Sequence, residues 1–301
     1  MDIGLIGCGR WGRNILRDLV ALGARVHVVR LNEGPSEQPL AGAASLSTDI
    51  ATLPPVDGYV VATPTSTHAD VIDRLLPGGR PIFVEKPLSA SLDHARRIAA
   101  AAPDRLFVMD KWRHHSGIES LRSHLADGLI GTPLHIRLMA WSVGQNHDDV
   151  GPQWILAPHD LSIIIHLLGA LPPLYYAYPH IAGRPELGFI AGLGGNGGIS
   201  ALLDIGTLSA AHFRRLTITG TAGLLEMHGG YADRIVWSKA APGTPRPEIV
   251  ELPFAPNMPL YAELEKFLIF LRGDGPPPHS SAQDGLATVE RLTEITARIG
   301  G

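Results

Sequence analysis

Cysteine is nearly absent. The 301 residues hold one, Cys8, which excludes an internal disulfide and any zinc site built from cysteines. Its place inside a glycine turn reads as that of a small apolar filler. Charge is also sparse: 18% of residues are Asp, Glu, Lys or Arg and the net charge is −4. No basic field exists to hold nucleic acid or an anionic membrane, and neither is an expected partner. No apolar run reaches the ~18 residues of a membrane span. The amino terminus runs straight into a strand pattern, so no secretory signal is expected and a reducing cytoplasm is the expected compartment. Neither an internal repeat nor a coiled-coil pattern occurs. Apolar residues, at 45%, and 34 glycines describe a globular chain with enough core for two domains.

One stretch organises the rest. Ile3, Leu5 and Ile6 stop at Gly7-Cys8-Gly9-Arg10-Trp11-Gly12, and the helical spacing of Ile15, Leu16, Leu19 and Val20 begins directly behind. Gly7 permits a tight turn, Gly9 a close approach of backbone N–H groups to a pyrophosphate, and Gly12 close packing of helix on strand. The helix N-terminus adds N–H donors and partial positive charge. A second strand pattern, Arg25–Arg30, follows where a βαβ unit places it, and the stretch is read as dinucleotide-binding. An acid at the end of that second strand would accept hydrogen bonds from a ribose 2′-OH; this chain has Arg30, then Leu31 and Asn32. A guanidinium pairs with a 2′-phosphate instead, so NADP is preferred, with NAD open. The alternative is a solvated strand-end charge beside Glu33.

Further along, a strand ending at Ala62 leads into Thr63-Pro64-Thr65-Ser66-Thr67-His68, and another leads into Glu85-Lys86-Pro87. Loops beyond the carboxyl ends of parallel strands face the ligand. His68 fits either a packing or a ligand-facing role. Taken with the glycine turn, the Ala-Thr-Pro-x-x-x-His loop and Glu-Lys-Pro resemble the Gfo/Idh/MocA oxidoreductases, which act mainly on sugars, cyclitols and their derivatives. Leu106–His115, Leu129–Arg137, Gly220–Gly223 and Pro259–Phe267 extend the resemblance along most of the chain.

The resemblance implies an α/β protein: an N-terminal Rossmann doubly wound domain over residues 1–118, then a substrate-binding α/β domain over 119–301 with a large, mostly antiparallel open sheet. That sheet would form the interface of a homodimer or homotetramer. The residues support a change of style near 120, where alternation of strand and helix gives way to β patterns at His135–Trp141, Gly198–Ile205, Phe213–Gly220 and Arg234–Ser238. Six prolines interrupt regular structure within residues 239–259.

A hydride transferred from an alcohol carbon requires a group to take the hydroxyl proton, and a lysine serves if its proton is loosened. Lys86, after a buried strand and near a positive nicotinamide, meets that condition. The resemblance assigns Lys86 to the reacting oxygen and His159 to the substrate. The expected cofactor set is Gly7, Gly9, Arg10, Trp11, Gly12, Arg30, Thr63, Pro64, His68, Glu85 and Lys86. The family carries an Asp four residues before the histidine, one helical turn away on the same face; here Ile155 stands there. Asp160 projects about 100° from His159 on a helix and is a poor substitute. Asp148 and Asp149 are alternatives. His166 lies two turns beyond His159 and reads as a core histidine or a site residue. His114, His115 and His147 carry no metal-binding spacing, and no metal is expected. The expected activity is interconversion of a secondary alcohol and a ketone on a sugar-like small molecule. Imine reduction, NAD-assisted glycoside cleavage and a non-catalytic NADP or ligand sensor stay open.

Overall fold

The computed structural model describes residues 1–30, 40–143, 153–195 and 197–300. Leu31, Asn32, Glu33, His147, Asp148 and Asp149 lie outside the described residues. The chain forms two units, Met1–Lys111 with Met258–Val289, and Trp112–Asn257 with Glu290–Gly301.

Six parallel strands build the first unit: β1 (Asp2–Ile6), β2 (Arg25–Val29), β3 (Ala43–Ser47), β4 (Gly58–Val61), β5 (Ile82–Glu85) and β6 (Leu106–Met109), in the order β3-β2-β1-β4-β5-β6. Helices α1 (Gly12–Ala21), α2 (His68–Leu75) and α3 (Leu92–Ala101) connect them. A parallel sheet covered on both faces demands continuous apolar strands, and Ile3, Leu5, Ile6, Val60, Val61 and Phe83 are wholly buried. Strand order reverses between β1 and β4, which makes the carboxyl ends there the natural ligand position.

The second unit contains α4 (Ser116–Ala126), α5 (Gln153–Leu168) and an eight-stranded sheet. Its strands are β7 (Pro133–Trp141), β8 (Leu174–Pro179), β9 (Gly188–Leu193), β10 (Ser200–Gly206), β11 (Phe213–Gly220), β12 (Leu224–His228), β13 (Arg234–Lys239) and β14 (Glu248–Pro253). They run in the order β14-β13-β12-β11-β7-β10-β9-β8, antiparallel except where β7 meets β10. Burial alternates by row. Ala177, Ala191, Leu203, Leu138 and Leu216 are registered across five strands and buried on the face that packs α5.

Two expectations are corrected. The division is not a single cut at 118/119, because α6 (Pro259–Arg272) belongs to the first unit. Proline opens α6 and left-handed Gly273 closes it, the end signals that set its limits. Leu260, Leu264, Phe267 and Leu268 then join the core of β1, β2, β4 and β5, each such burial stabilising by about 1.5–3 kcal/mol. The helix α7 (Ala282–Ile299) starts in the first unit and ends in the second, where Leu292, Ile295 and Ile299 are core. The second correction is β14, a regular strand within the proline-rich 239–259. It pairs only with β13, and an edge strand tolerates prolines at its margins because half its N–H groups need no partner.

Candidate active site

The glycine turn separates into one structural pair and one open position. Gly7 has φ +89, and a Cβ there would lie 2.6 Å from the Ala62 carbonyl oxygen; a Cβ on Gly12 would lie 2.6 Å from that of Gly7. At Gly9 a Cβ would meet nothing within 4 Å, which leaves the backbone approachable. Helix α1 starts at Gly12 with no side chain capping it, while the Arg13 and Asn14 N–H groups donate to the Gly9 and Trp11 carbonyls; the positive end of the helix dipole lies at this turn. Arg10 and Trp11 are exposed on this turn, and Cys8 is buried. These residues fit a dinucleotide's pyrophosphate. Arg30 ends β2, donating its backbone N–H to Ser47 O at 2.8 Å. It is buried.

The loop after β4 is braced internally, with Thr67 Oγ1 donating to Pro64 O at 2.8 Å and lying 2.9 Å from the Thr63 hydroxyl. His68 departs from the cofactor-contact expectation. Its ring is 1% exposed, with Nδ1 3.0 Å from Pro87 O and Nε2 3.0 Å from Thr63 O. It ties the Thr63 loop to the Lys86-Pro87 turn and supports the site without facing a ligand.

At the carboxyl ends of β5 and β6 sits a cluster of charged groups: Glu85, Lys86, Asp110, Lys111 and, from α6, Glu263. Burial pushes the Lys86 amine down from its ordinary value, against the charges of Glu85 and Asp110 and with that of Lys111. Burial raises Glu85, opposed by Lys86, by a hydrogen bond from Trp11 Nε1 and by Lys111. Glu263 is raised well above the ordinary carboxylate range by burial and by facing Glu85 and Asp110, although the Asp110 backbone N–H and Lys111 pull the other way. Lys86 therefore holds its proton loosely.

The histidine candidates His159 and His166 lie in the second unit, on α5. On α5, Ile155 and Asp160 are buried. Arg214 Nη1 from β11 donates to Asp160 Oδ1, so that carboxylate is engaged inside the unit and does not replace the missing Asp. Part-exposed His159 meets the Trp112 ring edge-on at 6.5 Å. The Arg214 guanidinium lies 4.4 Å over the same ring, and His115 stacks on it at 5.1 Å. Arg113 Nε donates to Ser162 Oγ at 2.6 Å. His166 Nε2 pairs with Glu119 Oε1. Burial pushes Glu119 up, but His166 and Arg122 outweigh it and hold the carboxyl at about 2, which gives His166 a pairing role in the unit's framework.

Sequence reasoning passed over Asp110, Lys111 and Glu263. The first two close β6 as Glu85 and Lys86 close β5, so the strand-end rule applied to them as well. Glu263 sits on the apolar stripe Leu260, Leu264, Phe267 of α6, and an acid at a core-facing position is itself a signal.

Together the doubly wound sheet, open glycine turn and loosened lysine define an α/β protein with the architecture of dinucleotide-binding folds. Residues 1–108 match the model of the Gfo/Idh/MocA family, described as an oxidoreductase family with an NAD-binding Rossmann fold. An inositol 2-dehydrogenase of Ralstonia nicotianae is 27% identical over 188 residues, 57% of this chain and 53% of that protein. The matched stretch thus spans about half the length of that relative. A putative oxidoreductase from Magnetospirillum magnetotacticum superposes with a TM-score of 0.83 at 26% identity, covering 97% of this chain and 98% of the other. The WlbA dehydrogenase of Bordetella pertussis, solved with NADH and UDP-GlcNAcA, gives 0.79 at 21% identity, covering 99% and 96%, a likeness of fold. Among the described residues no helix is long and apolar enough to cross a membrane.

Proposed function

We propose that this chain interconverts a secondary alcohol and a ketone on a sugar, nucleotide-linked sugar or cyclitol, with NADP as the preferred nicotinamide cofactor. The observation that carries the reading is Lys86, a half-buried amine with a loosened proton at the end of β5, in the unit that also presents the open glycine turn. A bound nicotinamide supplies or accepts the hydride. Lys86 takes the hydroxyl proton in oxidation and returns it in reduction, and Glu85 and Asp110 steady the ammonium it becomes. His159 is assigned to hold the substrate oxygen. Arg30, at the end of β2 where an acid would select NAD, is assigned to a 2′-phosphate. The substrate class is supported by the inositol dehydrogenase relative.

The sheet of the second unit supports pairing with a second copy. The row Tyr178, Ile190, Asp204, Met139, Arg215 lies opposite the face that packs α5, and it includes exposed Tyr178 and Ile190. Ile155 favours a second reading, a non-catalytic NADP or ligand sensor, because an isoleucine neither orients a substrate hydroxyl nor moves a proton.

Fluorescence titration with NADPH and NADH, followed by turnover on a panel of cyclitols, sugars and nucleotide sugars, tests both readings. NADPH is expected to bind more tightly, Arg30→Ala to erase that difference, and Lys86→Met to keep binding while losing turnover by on the order of a hundredfold or more. Tighter NADH binding refutes the cofactor assignment, and full turnover in Lys86→Met refutes the proton assignment. Cofactor binding without turnover on any member of the panel favours the sensor.

A further inference from the structure

Trp11 stands in the glycine turn, yet its indole is committed elsewhere. Its Nε1–H donates to Glu85 Oε1, and the Lys111 ammonium lies 4.7 Å from its ring centroid. The other Glu85 oxygen, Oε2, accepts the Lys86 backbone N–H at 3.2 Å. One carboxylate is thereby held between the turn that presents N–H groups to phosphates and the residue with the reactive amine. The indole remains 38% exposed at its outer side, so the contact is a surface latch onto the cluster and no part of the buried core.

We propose that Trp11 is a positioning residue that fixes Glu85 as the counter-charge of Lys86, so that the glycine turn and the proton-handling amine are wired through one hydrogen bond. The inference rests on the reading of Lys86 as the proton-transfer group. The groups facing Lys86 are Glu85, Asp110 and Lys111, and those facing Glu85 include Glu263 as well as Lys86, Lys111 and Trp11. Within that set Trp11 is a neutral side-chain donor to Glu85, beside the Lys86 backbone N–H. Removing the indole N–H leaves a half-buried carboxylate short of a hydrogen bond, which disfavours its charged form. A Glu85 that is neutral more of the time attracts the Lys86 ammonium less, and Lys86 gives up its proton at lower pH. Lys111 adds a positive charge against the ring face, where the indole quadrupole accepts it. Trp11→Phe keeps a ring there and removes only the donor.

The chain has four lysines, Lys86, Lys111, Lys239 and Lys266, few enough to follow each isotope-labelled ε-carbon by NMR in the full-length protein. The Lys86 resonance is identified by its loss in Lys86→Arg. Trp11→Phe is expected to lower the Lys86 titration midpoint by on the order of half a unit to one unit, with Glu85→Gln lowering it at least as far. In the Glu85→Gln background, Trp11→Phe is expected to add nothing, because both changes cut the same connection. An unchanged midpoint in Trp11→Phe, or an equal shift in the Glu85→Gln background, overturns the proposal. Thermal melts of each variant separate this effect from loss of folding. With a turned-over substrate, the acid limb of kcat/KM for alcohol oxidation should move to lower pH in step with the resonance. If no substrate is turned over while the resonance shifts as expected, the proposed activity fails and the wiring stands.

Discussion

Gly7 and Gly9 are two residues apart and do different work. At Gly7 both the left-handed backbone and the Ala62 carbonyl 2.6 Å from a would-be Cβ reject any side chain, whereas Gly9 faces open space. Gly7→Ala should therefore cost about 1–3 kcal/mol of stability, measured by denaturant unfolding. Gly9→Ala should melt like the parent and lose dinucleotide affinity in a fluorescence titration, since its methyl would occupy the space left for phosphates. Equal melting of both variants would dissolve the distinction. The same scale explains His68. A ring spent on two backbone carbonyls positions the Thr63 loop against the Lys86-Pro87 turn, and nothing in its place in the chain separated that role from ligand contact.

At the scale of an element, α6 is the least expected contributor. It follows the Trp112–Asn257 stretch of the second unit in sequence, yet it returns to the first unit's core and brings Glu263 to the ends of β5 and β6. Unfolded, a glutamate releases its proton near 4.5; folded, Glu263 keeps it to well above that value. Folding takes up a proton between those limits, so Glu263 costs stability progressively as pH rises through them. Glu263→Gln mimics the protonated form. Its melting temperature should gain on the parent's as pH rises above about 4.5, and a gap that stays flat or narrows with pH would contradict the assignment. The apolar periodicity of α6 was legible, but not which core it would enter, because a stripe of Leu and Phe fits any apolar face. Strand β14 was hidden for a related reason: its prolines argue against a central strand and are silent about an edge.

At the scale of the whole molecule, the eight-stranded sheet has a face opposite the one that packs α5. Neighbouring rows alternate between buried aliphatics packed under α5 and a face bearing exposed Tyr178, Ile190 and Phe213. Light scattering or sedimentation should find a dimer or tetramer, and Tyr178→Asp should shift it toward monomer at unchanged melting of the dissociated unit. A monomeric parent protein would sink the pairing.

Local patterns determined the glycine turn, the alternation of strand and helix, the change to β-rich structure near residue 120 and the Glu85-Lys86-Pro87 strand end, because turns, periodicity and strand ends are set by neighbours in sequence. Only the tertiary structure decided that Glu263 and Asp110 join Lys86, that Asp160 is consumed by Arg214 and that Arg30 is buried. Each of those outcomes is a pairing or burial between residues far apart in the chain. Spacing along the sequence carries no information about which charge ends up facing which.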